Sequence, residues 1–170
     1  AGTVLVAGER SEPEQAAVIQ VRSGLQPIAL EGLTVRGTPG RGLEGVSVDA
    51  AGERVSIHGL LVEGVSGAGI VASDGASVVA RDVVVRDAAS DAGAGLLVLS
   101  GSSFGLRSGI VEDVHGAGVW AVDPETNVDL RGVAVRGTRM ADGLAVAVGI
   151  EAGASLRLER ASVTDNAMYG

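Results

Sequence analysis

The stretch Gly69-Ile70-Val71-Ala72, followed after a short turn by Val78-Val79-Ala80-Arg81-Asp82-Val83-Val84-Val85-Arg86-Asp87, decides the fold. It holds three runs of alternating apolar residues: Gly-φ-x-φ, then φ-x-φ, then φ-x-φ, where φ is apolar. Runs this short, rich in Val and bounded by Gly, Asp and Ser, read as strands, because successive strand side chains point to opposite faces. Only two residues, Arg81-Asp82, separate the second run from the third. A corner that tight needs an unusual, commonly left-handed backbone, which Gly and Asp tolerate and β-branched residues do not.

The unit recurs on both sides. The last apolar residue of the second run falls at Leu30, Ile57, Ala80, Leu106, Leu130 and Leu158, in steps of 27, 23, 26, 24 and 28 residues. The Gly-φ-x-φ run keeps pace as Gly45-Val46-Ser47-Val48, Gly95-Leu96-Leu97-Val98, Gly118-Val119-Trp120-Ala121 and Gly149-Ile150-Glu151-Ala152. The matching corners are Glu31-Gly32, His58-Gly59, Arg107-Ser108, Arg131-Gly132 and Glu159-Arg160. Arg160 departs from the small-residue rule, so the last coil is expected to be irregular. The longest connection runs from Thr138 to Val148.

A strand this short cannot bury its apolar face alone, but equivalent faces stacked about 4.8 Å apart form a continuous interior. The predicted fold is all-β, a single-stranded right-handed parallel β-helix of about six coils of 23–31 residues, with three short strands per coil. Residues 1–16 are expected to supply a leading strand, Thr3-Val4-Leu5-Val6, and an N-terminal cap over Glu9–Ala17. Residues 17–170 form the solenoid, read as truncated at its C-terminal end. Val46, Ile70, Leu96, Val119 and Ile150 make one inward column; Ile57, Ala80, Leu106 and Leu130 make another. The narrow interior accounts for an aromatic content of only 2%. A leucine-rich repeat fits Leu30-x-x-Leu33-x-Val35 in part. It wants Asn and then a helix or 3₁₀ segment after the strand, where this chain has Arg-Gly or Glu-Asp and another alternating run.

Composition narrows the function classes. The 170 residues carry no Cys and no Lys, and all 13 basic residues are Arg. Disulfide staples and cysteine metal sites are excluded. No apolar run is long enough to span a bilayer. A formal charge of −8 argues against nucleic acid and anionic membrane as main partners.

The order Gly-Ile-x-φ, loop, φ-x-φ, two-residue turn, φ-x-φ resembles the right-handed β-helix repeat of the pectate-lyase-like superfamily over nearly all of residues 17–170. Members often place Asn at the tight corner, where this chain has Gly, Asp or Ser. The resemblance implies export to the extracellular space or cell surface, and a catalytic face on the Gly-φ-x-φ strands. Enzymes of that type need acidic residues around Ca²⁺ with an Arg or Lys base, or clustered Asp carboxylates. The superfamily spans lyases, hydrolases, epimerases, adhesins and non-catalytic modules, so the likeness speaks to fold more than to activity.

Stacking makes the exterior readable as rows. One row, Arg36, Glu63, Arg86, Glu112 and Arg136, alternates in charge and reads as a ladder that fixes coil register. The outward row of the would-be catalytic face is Ser47, Val71, Leu97, Trp120 and Glu151, whose middle supplies no acid–base pair. Val71, Leu97 and Trp120 are therefore candidate binding residues for a glycan or a protein surface, or for self-association. The alternative is that the Thr138–Val148 loop covers them with Met140, Leu144 and Val146. Asp49, Asp74, Asp123 and Glu125 are weak candidates for Ca²⁺; otherwise no cofactor is expected. His58 and His115 read as non-catalytic. Three function classes stay open: a non-catalytic scaffold or binding module, a lyase or hydrolase of acidic polysaccharide, and a passive spacer.

Overall fold

Glycine sets how tightly the coils stack. A methyl built on Gly45, Gly69, Gly95 or Gly118 would lie 2.4–2.7 Å from the carbonyl oxygen of the matching residue one coil on, and within 2.5 Å of Val62, Val85, Val111 or Val135 respectively. Each glycine thus lets a first strand lie directly on the valine wall of its own coil, and the Gly-φ-x-φ run exists for that reason.

The computed structural model describes residues 3–6, 17–22, 27–37, 43–50, 54–89, 93–141, 143 and 145–167. In chain order the strands are β1 (Thr3–Val6), β2 (Ala17–Arg22), β3 (Ile28–Glu31), β4 (Leu33–Arg36), β5 (Glu44–Asp49), β6 (Arg54–Glu63), β7 (Ile70–Ser73) and β8 (Ser77–Arg86). They continue with β9 (Ala94–Val98), β10 (Ser103–Glu112), β11 (Ala117–Ala121), β12 (Asn127–Arg136), β13 (Val146–Ile150), β14 (Ser155–Glu159) and β15 (Ser162–Thr164). One sheet runs β2-β5-β7-β9-β11-β13; the other runs β1-β4-β6-β8-β10-β12-β14, with β3 paired to β6 and β15 to β12. Every strand pairing is parallel. The chain is an all-β parallel solenoid of about five turns, slightly fewer than the six expected. The leading strand Thr3–Val6 is present, paired to β4. The proposed cap lies outside the described residues, apart from Ala17 in β2.

The tight corner behaves as the sequence requires. Gly32, Gly59, Asp82, Ser108, Gly132 and Arg160 all have φ between 52° and 64°. In the middle coils the backbone turns this corner without losing its pairing, so the second and third runs fuse into the ten-residue strands β6, β8, β10 and β12. At Arg160 the strand breaks into β14 and β15. The strand breaks in the same way at Gly32, between β3 and β4, so the break marks the outer coils of the stack and not the long Arg160 side chain.

A second left-handed corner, less evident in the sequence, follows the third run at Gly64, Asp87, Asp113, Gly137 and Asp165. It turns Val65, Ala88, Val114 and Thr138 into the core, all of them buried. It also adds a backbone rung: Ala89, His115, Arg139 and Ala167 N–H groups donate to Val65, Ala88, Val114 and Thr138 carbonyls at 2.8–2.9 Å. Asn166 ties down its end, its Oδ1 accepting from Thr138 N at 3.0 Å and its Nδ2 donating to Thr164 O at 2.8 Å. Thr138 Oγ1 is buried without a hydrogen-bond partner among the described residues. A Val fits that position, as Val65 and Val114 do, and removes an orphaned hydroxyl. Thr138→Val is expected to raise stability by about 1 kcal/mol and Tm by about 2–4 °C in a thermal melt.

The inward columns Val46–Ile70–Leu96–Val119 and Ile57–Ala80–Leu106–Leu130 are paired in register and fully buried. The expected fifth member, Ile150, is misplaced by two residues. Val119 pairs with Val148 and Ala121 with Ile150, so Ile150 continues a different column and is 48% exposed. Gly149 therefore does not align with Gly118; Ala147 does. A methyl is tolerated there because no later strand stacks on β13 among the described residues, so the carbonyl that excludes a side chain at Gly118 has no counterpart.

The charge ladder forms as read. Arg36, Glu63, Arg86, Glu112 and Arg136 occupy successive rungs. Glu63 accepts from Arg36 at 2.5 Å and from Arg86 at 2.5 Å, and Glu112 accepts from Arg136 at 2.7 Å. The hydrogen bond from Arg86, and then that from Arg36, holds the Glu63 carboxyl below the usual carboxylate range. A depressed pKa in the folded chain means the contribution is present at neutral pH and fades as pH falls through the folded value. Glu63→Gln is accordingly expected to lower Tm most at neutral pH and low salt. The gap from the parent should narrow in molar salt and in acid; a gap indifferent to both would refute the ladder.

Candidate functional site

The first sheet carries the outward row that sequence reasoning singled out. Its register is Gln20, Ser47, Val71, Leu97, Trp120 and Gly149. Gly149 replaces the expected Glu151, which lies just past β13 with its N–H bonded to the Ala121 carbonyl at 2.9 Å. The two-residue shift of β13 removes the one carboxylate that the row was expected to hold.

Burial along the row is graded. Ser47 and Val71 are only 6% and 5% exposed, whereas Leu97 and Trp120 are half-buried. The Trp120 indole does not stand out into water. A methyl built on Gly149 would meet Trp120 Cδ1 at 3.5 Å and Nε1 at 3.7 Å, so the ring lies over the next coil where a side chain is missing. Its Nε1 is buried without a hydrogen-bond partner among the described residues. An aromatic ring laid over a strand glycine shields backbone that would otherwise face water. Trp120 thus closes the last rung of this face.

Of the three side chains that one alternative had covering the stripe, two lie among the described residues. Met140 is 52% exposed, Val146 sits in β13 opposite Ala117, and Leu144 lies outside the described residues.

Two of the acidic candidates, Asp49 and Asp123, use their carboxylates to tie neighbouring coils together. Asp49 Oδ1 accepts from Ser73 Oγ at 2.5 Å and from Ser47 Oγ at 3.3 Å, while Oδ2 accepts from Gln20 Nε2 at 3.3 Å. Asp49 pairs with Ser73 in register, one residue before Asp74, so the two carboxylates do not share a row. Asp74 is exposed at a left-handed turn, φ 57°. Asp123 Oδ2 accepts from Ser100 N at 3.0 Å, and the exposed Glu125 lends its carbonyl to Asn127 Nδ2 at 2.8 Å. Among the described residues no three His, Cys, Asp or Glu side chains come together as a metal-binding group. His58 and His115 are far apart in the fold: His58 sits at the first corner, 3.2 Å from Asp82, and His115 on the backbone rung beside Arg139.

One acidic group escaped sequence reasoning. Glu44, the first residue of β5, has its carboxyl pushed up by burial, an effect opposed by a hydrogen bond from Ser47 and reinforced by the nearby Asp49 charge. Glu44, Ser47, Asp49 and Ser73 form a small polar cluster at the early end of the row. Its only sequence signal is an acid placed directly before the stacking glycine.

No family model, curated protein or solved structure matches the chain.

Proposed function

We propose that the chain is a non-catalytic β-helix module of a larger exported protein, a rigid scaffold that docks a glycan or protein surface against Leu97 and Trp120, the half-buried part of a row whose Val71 is already covered. One observation carries the reading: the outward row of the first sheet is apolar through Val71, Leu97 and Trp120 and ends on Gly149. At the face where β-helix enzymes of the resembled superfamily keep their chemistry, this chain offers packing surface. Stacked aromatic and aliphatic side chains on a flat sheet suit the apolar face of a sugar ring or of a partner's side chains. Rigidity is supported by unbroken parallel register and by the charge ladder, since a slip of one coil would set Arg against Arg.

Trp120 is the sole indole, so its emission reports this face directly. A saturable shift on titration with neutral or acidic oligosaccharides, lost in Leu97→Asp, supports docking. Silence across a broad glycan panel, together with an unchanged sedimentation coefficient over concentration, would leave the spacer role. The polysaccharide lyase or hydrolase alternative rests on Glu44 and Asp49. Unsaturated-product absorbance or reducing-end release from uronates, abolished in Glu44→Gln, would replace the non-catalytic reading.

A further inference from the structure

The charge ladder has one gap. Glu63 takes a bond from Arg36 on Oε1 and bonds from Arg86 on Oε2, while Glu112 takes both bonds of Arg136 on Oε2. Arg86 and Glu112 are neighbours in register, yet no bond joins them. Among the described residues Glu112 Oε1 and Arg86 Nη1 have no partner.

Beside the ladder the third runs present an apolar strip. Leu61, Val84, Ile110 and Ala134 lie outward and half-buried on successive rungs, with Thr34 and Ser162 at the two ends. Beyond the strip is the corner row Gly59, Asp82, Ser108 and Gly132. Apolar sheet faces pack on one another about 10 Å apart, with polar side chains at the rim. A flat strip suits another sheet better than a small ligand, which needs a concave site.

A second copy of this chain fits the strip about a two-fold axis that runs along the strands, midway between β8 and β10. Val84 then meets Ile110 of the second copy, and Leu61 meets Ala134 of the second copy, apolar on apolar. The same axis sets Arg86 opposite Glu112 of the second copy, and Glu63 opposite Arg136 of the second copy. The corner row adds no like pair, because Asp82 faces a hydroxyl donor, Ser108 of the second copy. An axis lying on a rung would set Arg on Arg or Glu on Glu, which complementary interfaces avoid. An axis one rung to either side would set Ile110 on Thr34 or Val84 on Ser162. The gap in the ladder thus falls at the one axis that satisfies strip and charges together, and a two-fold contact closes after two copies. From β4 to β15 the face is about 24 Å by 16 Å, on the order of 400 Å² per copy against roughly 800 Å² in a standard interface, so the dimer is weak.

We propose that the chain forms a weak two-fold dimer by stacking its third runs face to face, with Val84 against Ile110 of the second copy at the centre and Arg86 against Glu112 of the second copy at the rim. This face is separate from the Trp120 stripe and stands or falls independently of it.

Sedimentation of the full chain from about 10 µM to about 1 mM is the test, the range in which a small interface assembles. The sedimentation coefficient is expected to rise toward that of a dimer. Ile110→Asp should weaken association by about tenfold or more, the scale of a central contact. Leu97→Asp, on the Trp120 stripe, should associate like the parent. Arg86→Glu alone and Glu112→Arg alone each set like charges across the axis and should stay monomeric. Mixed in equal amounts they set opposite charges across it and should regain association. Circular dichroism melts check that each variant is folded. A coefficient constant up to about 1 mM, or an Ile110→Asp variant that associates like the parent, would overturn the dimer. Association lost in Leu97→Asp and kept in Ile110→Asp would move self-contact to the Trp120 stripe and overturn this face. A mixture that associates no better than its components would overturn the two-fold register.

Discussion

Gly95→Ala is expected to cost about 3 kcal/mol and lower Tm by about 6–12 °C. The added methyl would lie 2.3 Å from Val111 Cγ1 and 2.7 Å from the Gly118 carbonyl oxygen. Neither neighbour has room to yield. Val111 is 1% exposed within the core, and Gly118 lies in β11, whose register on β9 would have to open to move the carbonyl. Left-handed strain plays no part, because Gly95 is not among the positive-φ residues. Gly132→Ala is the control. Gly132 sits at φ 63° with nothing within 4 Å of the added methyl, so only backbone strain applies, about 1–2 kcal/mol. Urea denaturation of both variants separates the cases. If Gly95→Ala costs no more than Gly132→Ala, close coil stacking is not what the Gly-φ-x-φ glycines provide.

Phe104→Ala carries the other large effect, about 3–5 kcal/mol, with a fall in Tm of at least about 6 °C. Phe104 is the chain's only Phe and is 1% exposed. It lies in register between Val78 and Val128, in a column otherwise built of β-branched or aliphatic side chains. Its bulk is balanced nearby: Gly109 occupies an inward position where the flanking rungs have Val83 and Val133, and Leu106 fills that space, its Cδ2 3.0 Å from a methyl built on Gly109. Removing the ring leaves a cavity that rigid strands on both sides cannot collapse. Because a solenoid's coils contact mainly their neighbours, amide exchange should speed up most in β8, β10 and β12 and least in β2 and β5. Phe104→Leu should cost far less. A uniform rise in exchange along the whole chain would show that the coils do not melt as neighbours.

How much was legible follows the periodicity of the chain. Wherever the three runs recurred in the same order in successive coils, as at Ile70–Leu96–Val119 or Arg81-Asp82 to Arg131-Gly132, the sequence specified strand, corner and inward face correctly. The reading failed at Gly149, where a matching glycine stood two residues from the position that pairs with Gly118. A glycine in the text of a repeat shows that a Cβ is missing; only stacked neighbours show whether one was forbidden. The second left-handed corner was hidden for a related reason. Gly and Asp at positions 64, 87, 113 and 137 stand before loops of variable length, so nothing in the spacing revealed that the next residue turns inward.

The candidate face divides in the same manner. That Trp120 follows Leu97, and that the row between Val71 and Trp120 lacks an acid–base pair, could be read from the repeat. That the indole lies over Gly149 with its Nε1 enclosed could not, because a ring's tilt depends on the absence of a side chain on the adjacent rung.

The sequence by itself determined the parallel stacking, the tight corner and the order of charges along the outer rows, since each depends only on residue type at a repeated interval. The tertiary structure decided the depth to which each outward side chain is covered, the pairing of β13 and the gap between Arg86 and Glu112 in the charge ladder. Those depend on which neighbours approach within a few ångströms, a relation between coils that no single copy of the repeat contains.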